Sequence, residues 1–148
     1  MSDGEHSIEW QSSPKRPRRT FGGDVRGNIQ AIVADDHSEV LLATSDLIEE
    51  FGGVEVVSQA SNVEDAVQAA ARHQPDVAFI EARLSGGGAE TAAKGIKAVS
   101  PHTSVVALTS VKELELVLKL RAAGADRCYE KVNLSLALPE ILASISRR

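Results

Sequence analysis

Cysteine, aromatic residues and long apolar runs are all scarce in this sequence. The one cysteine, Cys128, excludes an internal disulfide and any cysteine-cluster metal site. A single thiol is compatible with a reducing compartment. Aromatics make up only 3% of the residues, so a core has to be built from Ala, Val, Leu and Ile. No apolar run approaches the ~20 residues of a membrane span. Met1 to Gly4 show neither the basic start nor the apolar stretch of a secretory signal, and the expected location is cytoplasmic. What is present is ordinary for one globular domain: 43% apolar and 25% charged residues over a length of 148. A chain of that length can bury a core without a disulfide or metal.

The net charge of -5 is unevenly spread. Residues 1–28 sum to +1 and the remainder to -6. An acidic body argues against direct nucleic-acid binding through its general field. The stretch Gln11-Ser-Ser-Pro-Lys-Arg-Pro-Arg-Arg19 combines proline, serine and charge with almost no apolar surface. Such a segment cannot offset its own ordering entropy, so residues 1–28 read as a flexible tail and 29–148 as the folded domain.

From Ile29 the pattern changes. Ile29–Ala34, 54–58, 77–80, 104–108 and 127–129 are apolar runs of strand length. Between and after them lie helical spacings over 40–51, 63–73, 88–99, 111–123 and 134–146, several closed by glycine or by a following proline. Five βα repeats with continuously apolar strands predict a parallel sheet covered on both faces. The expected fold class is α/β, a flavodoxin-like doubly wound five-stranded sheet.

In such sheets ligands bind at the carboxyl ends of the strands. Those positions hold Asp35 and Asp36 after the first strand, Glu81 after the third, Thr109 after the fourth and Lys131 after the fifth. Taken singly, each has an ordinary explanation, such as an aspartate capping the next helix. Taken together, they place three carboxylates, a hydroxyl and an ammonium on one edge. Hard oxygen donors of this kind suit Mg2+.

The segments Ile32-Val-Ala-Asp-Asp-His37, Pro75-Asp-Val-Ala-Phe-Ile80, Val105-Val-Ala-Leu-Thr-Ser110 and Ala123-Gly-Ala-Asp126 followed by Lys131 resemble the receiver domain of bacterial two-component response regulators. The resemblance covers about residues 29–146. It implies that Asp35 and Asp36 hold Mg2+ together with Glu81 and the Arg83 backbone carbonyl, and that Thr109 and Lys131 contact a phosphoryl group. It implies a signalling module rather than an enzyme, with a sensor kinase or output protein as partner.

Three departures from the family pattern bear on function. The acceptor position holds Glu81 where the family has aspartate, and an extra methylene misplaces an in-line nucleophile; an error near ~1 Å can cost on the order of 100-fold. Ser85 stands where proline is usual, followed by three glycines. The aromatic switch residue is displaced by one, with Cys128 at its place and Tyr129 after it; one step along a strand reverses the face, so either the strand has a bulge that restores Tyr129 to the switch role or its coupling to Thr109 is altered. The fourth helix carries two opposed apolar stripes: Val111, Leu114, Val117 and Leu118 on one, Leu116, Leu120 and Ala123 on the other. Leu116 and Leu120 are the expected interface residues, on the helix 4–strand 5–helix 5 face that the family uses for dimers and partners. The expected function is an atypical receiver acting through protein contacts without phosphorylation. The alternatives are a conventional phosphoacceptor receiver and the N-terminal part of a DNA-binding regulator.

Overall fold

The computed structural model describes residues 28–146. The tail read over residues 1–28 lies outside the described residues apart from Asn28. Strand β1 (Ile29–Ala34) is followed by α1 (Ser38–Phe51), β2 (Val54–Ala60), α2 (Val63–His73), β3 (Val77–Glu81) and α3 (Gly88–Val99). Then come β4 (Ser104–Thr109), α4 (Leu114–Ala122), β5 (Arg127–Glu130), a 3-10 turn (Lys131–Asn133) and α5 (Leu134–Ser146). The sheet is parallel throughout, in the order β2-β1-β3-β4-β5. This is the flavodoxin-like order expected from the sequence.

Alternation within each strand divides the core into two layers. Ile32, Ala34, Ala78, Ile80, Val105 and Ala107 face α2, α3 and α4. Ala31, Val33, Val77, Phe79, Val106 and Leu108 face α1 and α5. The scarcity of aromatics has a geometric counterpart. Helices α2 and α3 meet through Ala66, Ala69, Ala70, Ala89, Ala92 and Ala93, all buried. A Cβ on Gly95 would stand 2.7 Å from Val67 Cγ2, so these helices lie too close together for larger side chains.

Element ends depart from the sequence reading in physically clear places. Strand β2 runs two residues further, to Ala60, because a register shift opposite Ala31 and Ile32 absorbs one extra residue in β2 and lets pairing resume. Helix α4 begins at Leu114 rather than 111, since Glu113 is still extended with φ -120° and ψ 146°. It ends at Ala122, and Gly124, just past the Ala123 cap, has the positive φ of +110° expected of it.

The two stripes of α4 are resolved by packing. Leu120 is 1% exposed and Leu116 packs on the core, so the expected assignment of Leu116 and Leu120 to an outer interface is corrected. The sheet takes their stripe because it is continuous with Ala123 and Ala125. The opposite stripe is left in solvent, with Leu114 73% and Leu118 55% exposed.

Candidate functional site at the carboxyl edge of the sheet

The strand order reverses direction at β1 and β3, and the loops that leave these strands diverge to opposite faces. That leaves a crevice at their carboxyl ends. Asp35 sits at the end of β1 and Glu81 at the end of β3, both buried. Neither Asp35 nor Asp36 caps α1, because the N-cap position is taken by His37.

Lys131 enters the crevice from the end of β5. Its Nζ lies 3.0 Å from Asp35 Oδ2 and also forms an ion pair with Glu81 Oε1. Two buried carboxylates on neighbouring strands repel, and the ammonium between them removes that repulsion. Burial works against the charged lysine, but the hydrogen bonds and charges of Glu81 and Asp35 outweigh it and hold its pKa above the ordinary value.

The remaining oxygens have partners too. Asp35 Oδ1 accepts from the His37 backbone N–H at 2.9 Å and lies 3.1 Å from His37 Nδ1. Glu81 Oε2 accepts from the Arg83 backbone N–H at 3.0 Å. Asp36 turns to the loop after β3: Oδ1 accepts from the Ser85 N–H at 2.9 Å, and Oδ2 is hydrogen-bonded by the Ser85 hydroxyl. These bonds favour the carboxylate and hold the Asp36 pKa below its ordinary value. The same loop is tied to α2, because the Ser85 carbonyl accepts from the Val63 N–H at 2.7 Å. Gly86, Gly87 and Gly88 all have positive φ there. At Gly88 a Cβ would come within 2.8 Å of the Ala82 carbonyl oxygen, so this tight turn requires glycine.

The structure thus brings Asp35, Glu81 and Lys131 into one network, with Asp36 beside it. The Mg2+ set expected from the resemblance reaches the same edge but does not converge as a set of ligands. Among the described residues no three His, Cys, Asp or Glu side chains gather as a metal-ligating group. The contact Arg83 makes with Glu81 is through its backbone N–H. Thr109 is buried at the end of β4, and its hydroxyl donates to the Val111 carbonyl at 3.0 Å. Tyr129 departs from the expected switch role. The β4–β5 register runs without a bulge, pairing Ala107 with Cys128 and Leu108 with Tyr129. Cys128 therefore shares the face of Thr109, while Tyr129 packs with the α1 and α5 layer. Its ring lies 6.0 Å from the Lys112 ammonium, and its hydroxyl meets Arg127 Nη1 at 3.2 Å.

Two contributors carry little signal in the sequence. Ser85 is legible in the sequence only as a missing proline, and His37 only as an exposed or capping residue, the place it takes at the start of α1. Both act through contacts that depend on where their loops fold.

Comparison with known proteins agrees with this architecture. Response regulator GacA of Pseudomonas viridiflava is 30% identical over 97 residues, which are 66% of this chain and 45% of that protein. Transcriptional regulatory protein PdtaR of Mycobacterium tuberculosis is 27% identical over 121 residues, 80% of this chain and 57% of that one. The chain thus spans about half the length of these curated relatives. The signal receiver domain of the response regulator NarL from Mycobacterium tuberculosis superposes with a TM-score of 0.76 at 22% identity, covering 83% of this chain and all of that one. A LuxR-family two-component response regulator from Aurantimonas gives 0.75 at 24%, over 82% and 88% of the two chains. At those identities the structural likeness speaks for the fold alone. The model of the response regulator receiver domain matches residues 31–143, nearly all of the described body, and the chain belongs to that family.

Proposed function

We propose that this chain is an atypical receiver module of two-component-type signal transduction, which acts through protein contacts without phosphorylation and is not an enzyme. The carrying observation is Glu81. It occupies the acceptor place implied by the resemblance, its Oε1 is ion-paired with Lys131, and its Oε2 is held by the Arg83 amide. Both oxygens are thus engaged by the chain, and the extra methylene of glutamate displaces them from where an aspartate would stand for in-line attack.

The protein contacts fall on the α4–β5–α5 side. Val111, Leu114 and Leu118 are exposed there, with Val132 at 83% and Leu136 at 80% exposure. Exposed large apolar side chains in such number on one side mark an interaction surface. Its occupant in this reading is a sensor kinase, an output protein or a second copy of the chain. The acidic body is not a nucleic-acid binder, and the working location is the cytoplasm. No helix among the described residues is long and apolar enough to cross a membrane.

A second reading is favoured by the coverage of the relatives, which are about twice as long as the shared region. In it, the chain is the receiver portion of a longer DNA-binding regulator, with a conventional phosphoacceptor role. Incubation with acetyl phosphate and Mg2+, followed by intact-mass measurement, separates the two. The first reading expects no phosphoryl adduct. A near-stoichiometric, hydroxylamine-sensitive adduct on Glu81 would overturn it.

A further inference from the structure

Receiver domains generally bind Mg2+, and the residues of this pocket, as arranged, do not fit that ion. We propose that Lys131 is the resident cation of the pocket and that Ser85 withholds Asp36, so that the acidic edge is held together without a divalent ion.

Five of the six carboxylate oxygens of the three acidic residues accept a hydrogen bond from the chain, and the sixth, Glu81 Oε1, is answered only by its ion pair with Lys131. Asp35 gives one oxygen to His37 and the other to Lys131. Asp36 gives both to Ser85. Glu81 gives one to Lys131 and the other to the Arg83 amide. A divalent ion needs near-octahedral oxygen donors and gives up its water reluctantly. To bind here it would displace an ammonium that already answers both buried carboxylates, or sit beside it and repel it. It would also compete with the two hydrogen bonds that turn Asp36 toward Ser85. The lysine has neither cost, because it arrives with the fold of β5.

The inference concerns the cation alone and holds whether or not Glu81 accepts a phosphoryl group. Its test therefore measures metal binding and reads no phosphotransfer. The 15N-labelled full chain is titrated with Mn2+, and paramagnetic broadening is followed at the amides of residues 35–37 and 81–85. The wild type should show no selective broadening at these amides into the millimolar range. Lys131→Met should gain selective broadening, with affinity tighter by roughly tenfold or more, because a nearby positive charge has been removed from a pair of carboxylates. Lys131→Arg, which keeps the charge, should behave as the wild type, and the exposed Lys119→Met should gain nothing. Ser85→Ala, which frees one oxygen of Asp36 from its hydroxyl, should gain weaker binding than Lys131→Met. If Lys131→Met is unfolded in metal-free buffer, refolding on addition of Mg2+ supports the proposal; failure to refold leaves Ser85→Ala as the deciding variant, and no gain there overturns it. Selective broadening of the wild type at submillimolar Mn2+, or a folded Lys131→Met that binds no tighter, would also overturn it.

Discussion

Replacing Lys131 with methionine keeps an unbranched apolar stem and removes the ammonium. Asp35 and Glu81 would then face each other, buried, with no positive charge between them. Removing one partner of a buried ion pair costs about 3–5 kcal/mol. The Lys131 side chain is 24% exposed, so water screens part of its field. The expected loss at pH 7 is therefore about 2–3 kcal/mol. For a chain of this length that corresponds to a fall in Tm of roughly 5–10 °C. The sign of the pH dependence follows from the raised lysine pKa. Its stabilisation is complete below the unfolded value near ~10.4 and fades as pH rises through the higher folded value. The wild type should thus lose stability on the alkaline side, and Lys131→Met should lack that limb. Urea denaturation followed by far-UV circular dichroism at three pH values measures all of this. A deficit under ~0.5 kcal/mol at pH 7, within the range of ordinary surface substitutions, would refute the reasoning. So would a double variant Glu81→Gln, Lys131→Met no more stable than the single one, since the repulsion would not be the cause.

Further outcomes follow from the same geometry. Gly88→Ala forces a Cβ toward the Ala82 carbonyl at a φ of +78°, and should cost about 1–3 kcal/mol in chemical denaturation while shifting the Asp36 and Ser85 amides. Ser85→Ala removes the largest influence holding the Asp36 pKa down, so an NMR titration should find that carboxyl moving up toward its ordinary value. In the wild type the stabilisation from this bond is present above the unfolded aspartate pKa near ~3.9 and is lost as pH falls through the lower folded value. Leu118→Glu should change stability by no more than ~0.5 kcal/mol yet reduce any self-association seen by light scattering, whereas Leu120→Glu should abolish cooperative folding by placing a charge in the core. Ala92→Leu should cost about 1–3 kcal/mol by overfilling the α2–α3 contact, as read from urea midpoints.

Local chemistry made much of this molecule readable in advance. Helices α2, α3 and α5 have the ranges their spacing predicts, 63–73, 88–99 and 134–146. Strands β1, β3 and β4 were legible as apolar runs bounded by charged or hydroxyl residues. Helix α4 was the hard case, since two apolar stripes on opposite sides leave its rotation open. The weight of Leu116, Leu120, Ala123 and Ala125 against the sheet decides it, and Leu114 and Leu118 are left outside. Tyr129 illustrates the same limit: only the bulge-free register of β4 and β5 shows which face it takes.

The βα alternation, and with it the gathering of Asp35, Asp36, Glu81, Thr109 and Lys131 at one sheet edge, follows from hydrophobic period and strand direction, which are properties of short segments. The pairings within that edge do not. Lys131 meets Asp35 across 96 residues of chain and Ser85 meets Asp36 across 49. Contacts at such separations depend on strand order, loop path and side-chain reach acting together. For that reason tertiary packing, and no local pattern, made the lysine the pocket's cation and turned one aspartate toward a serine.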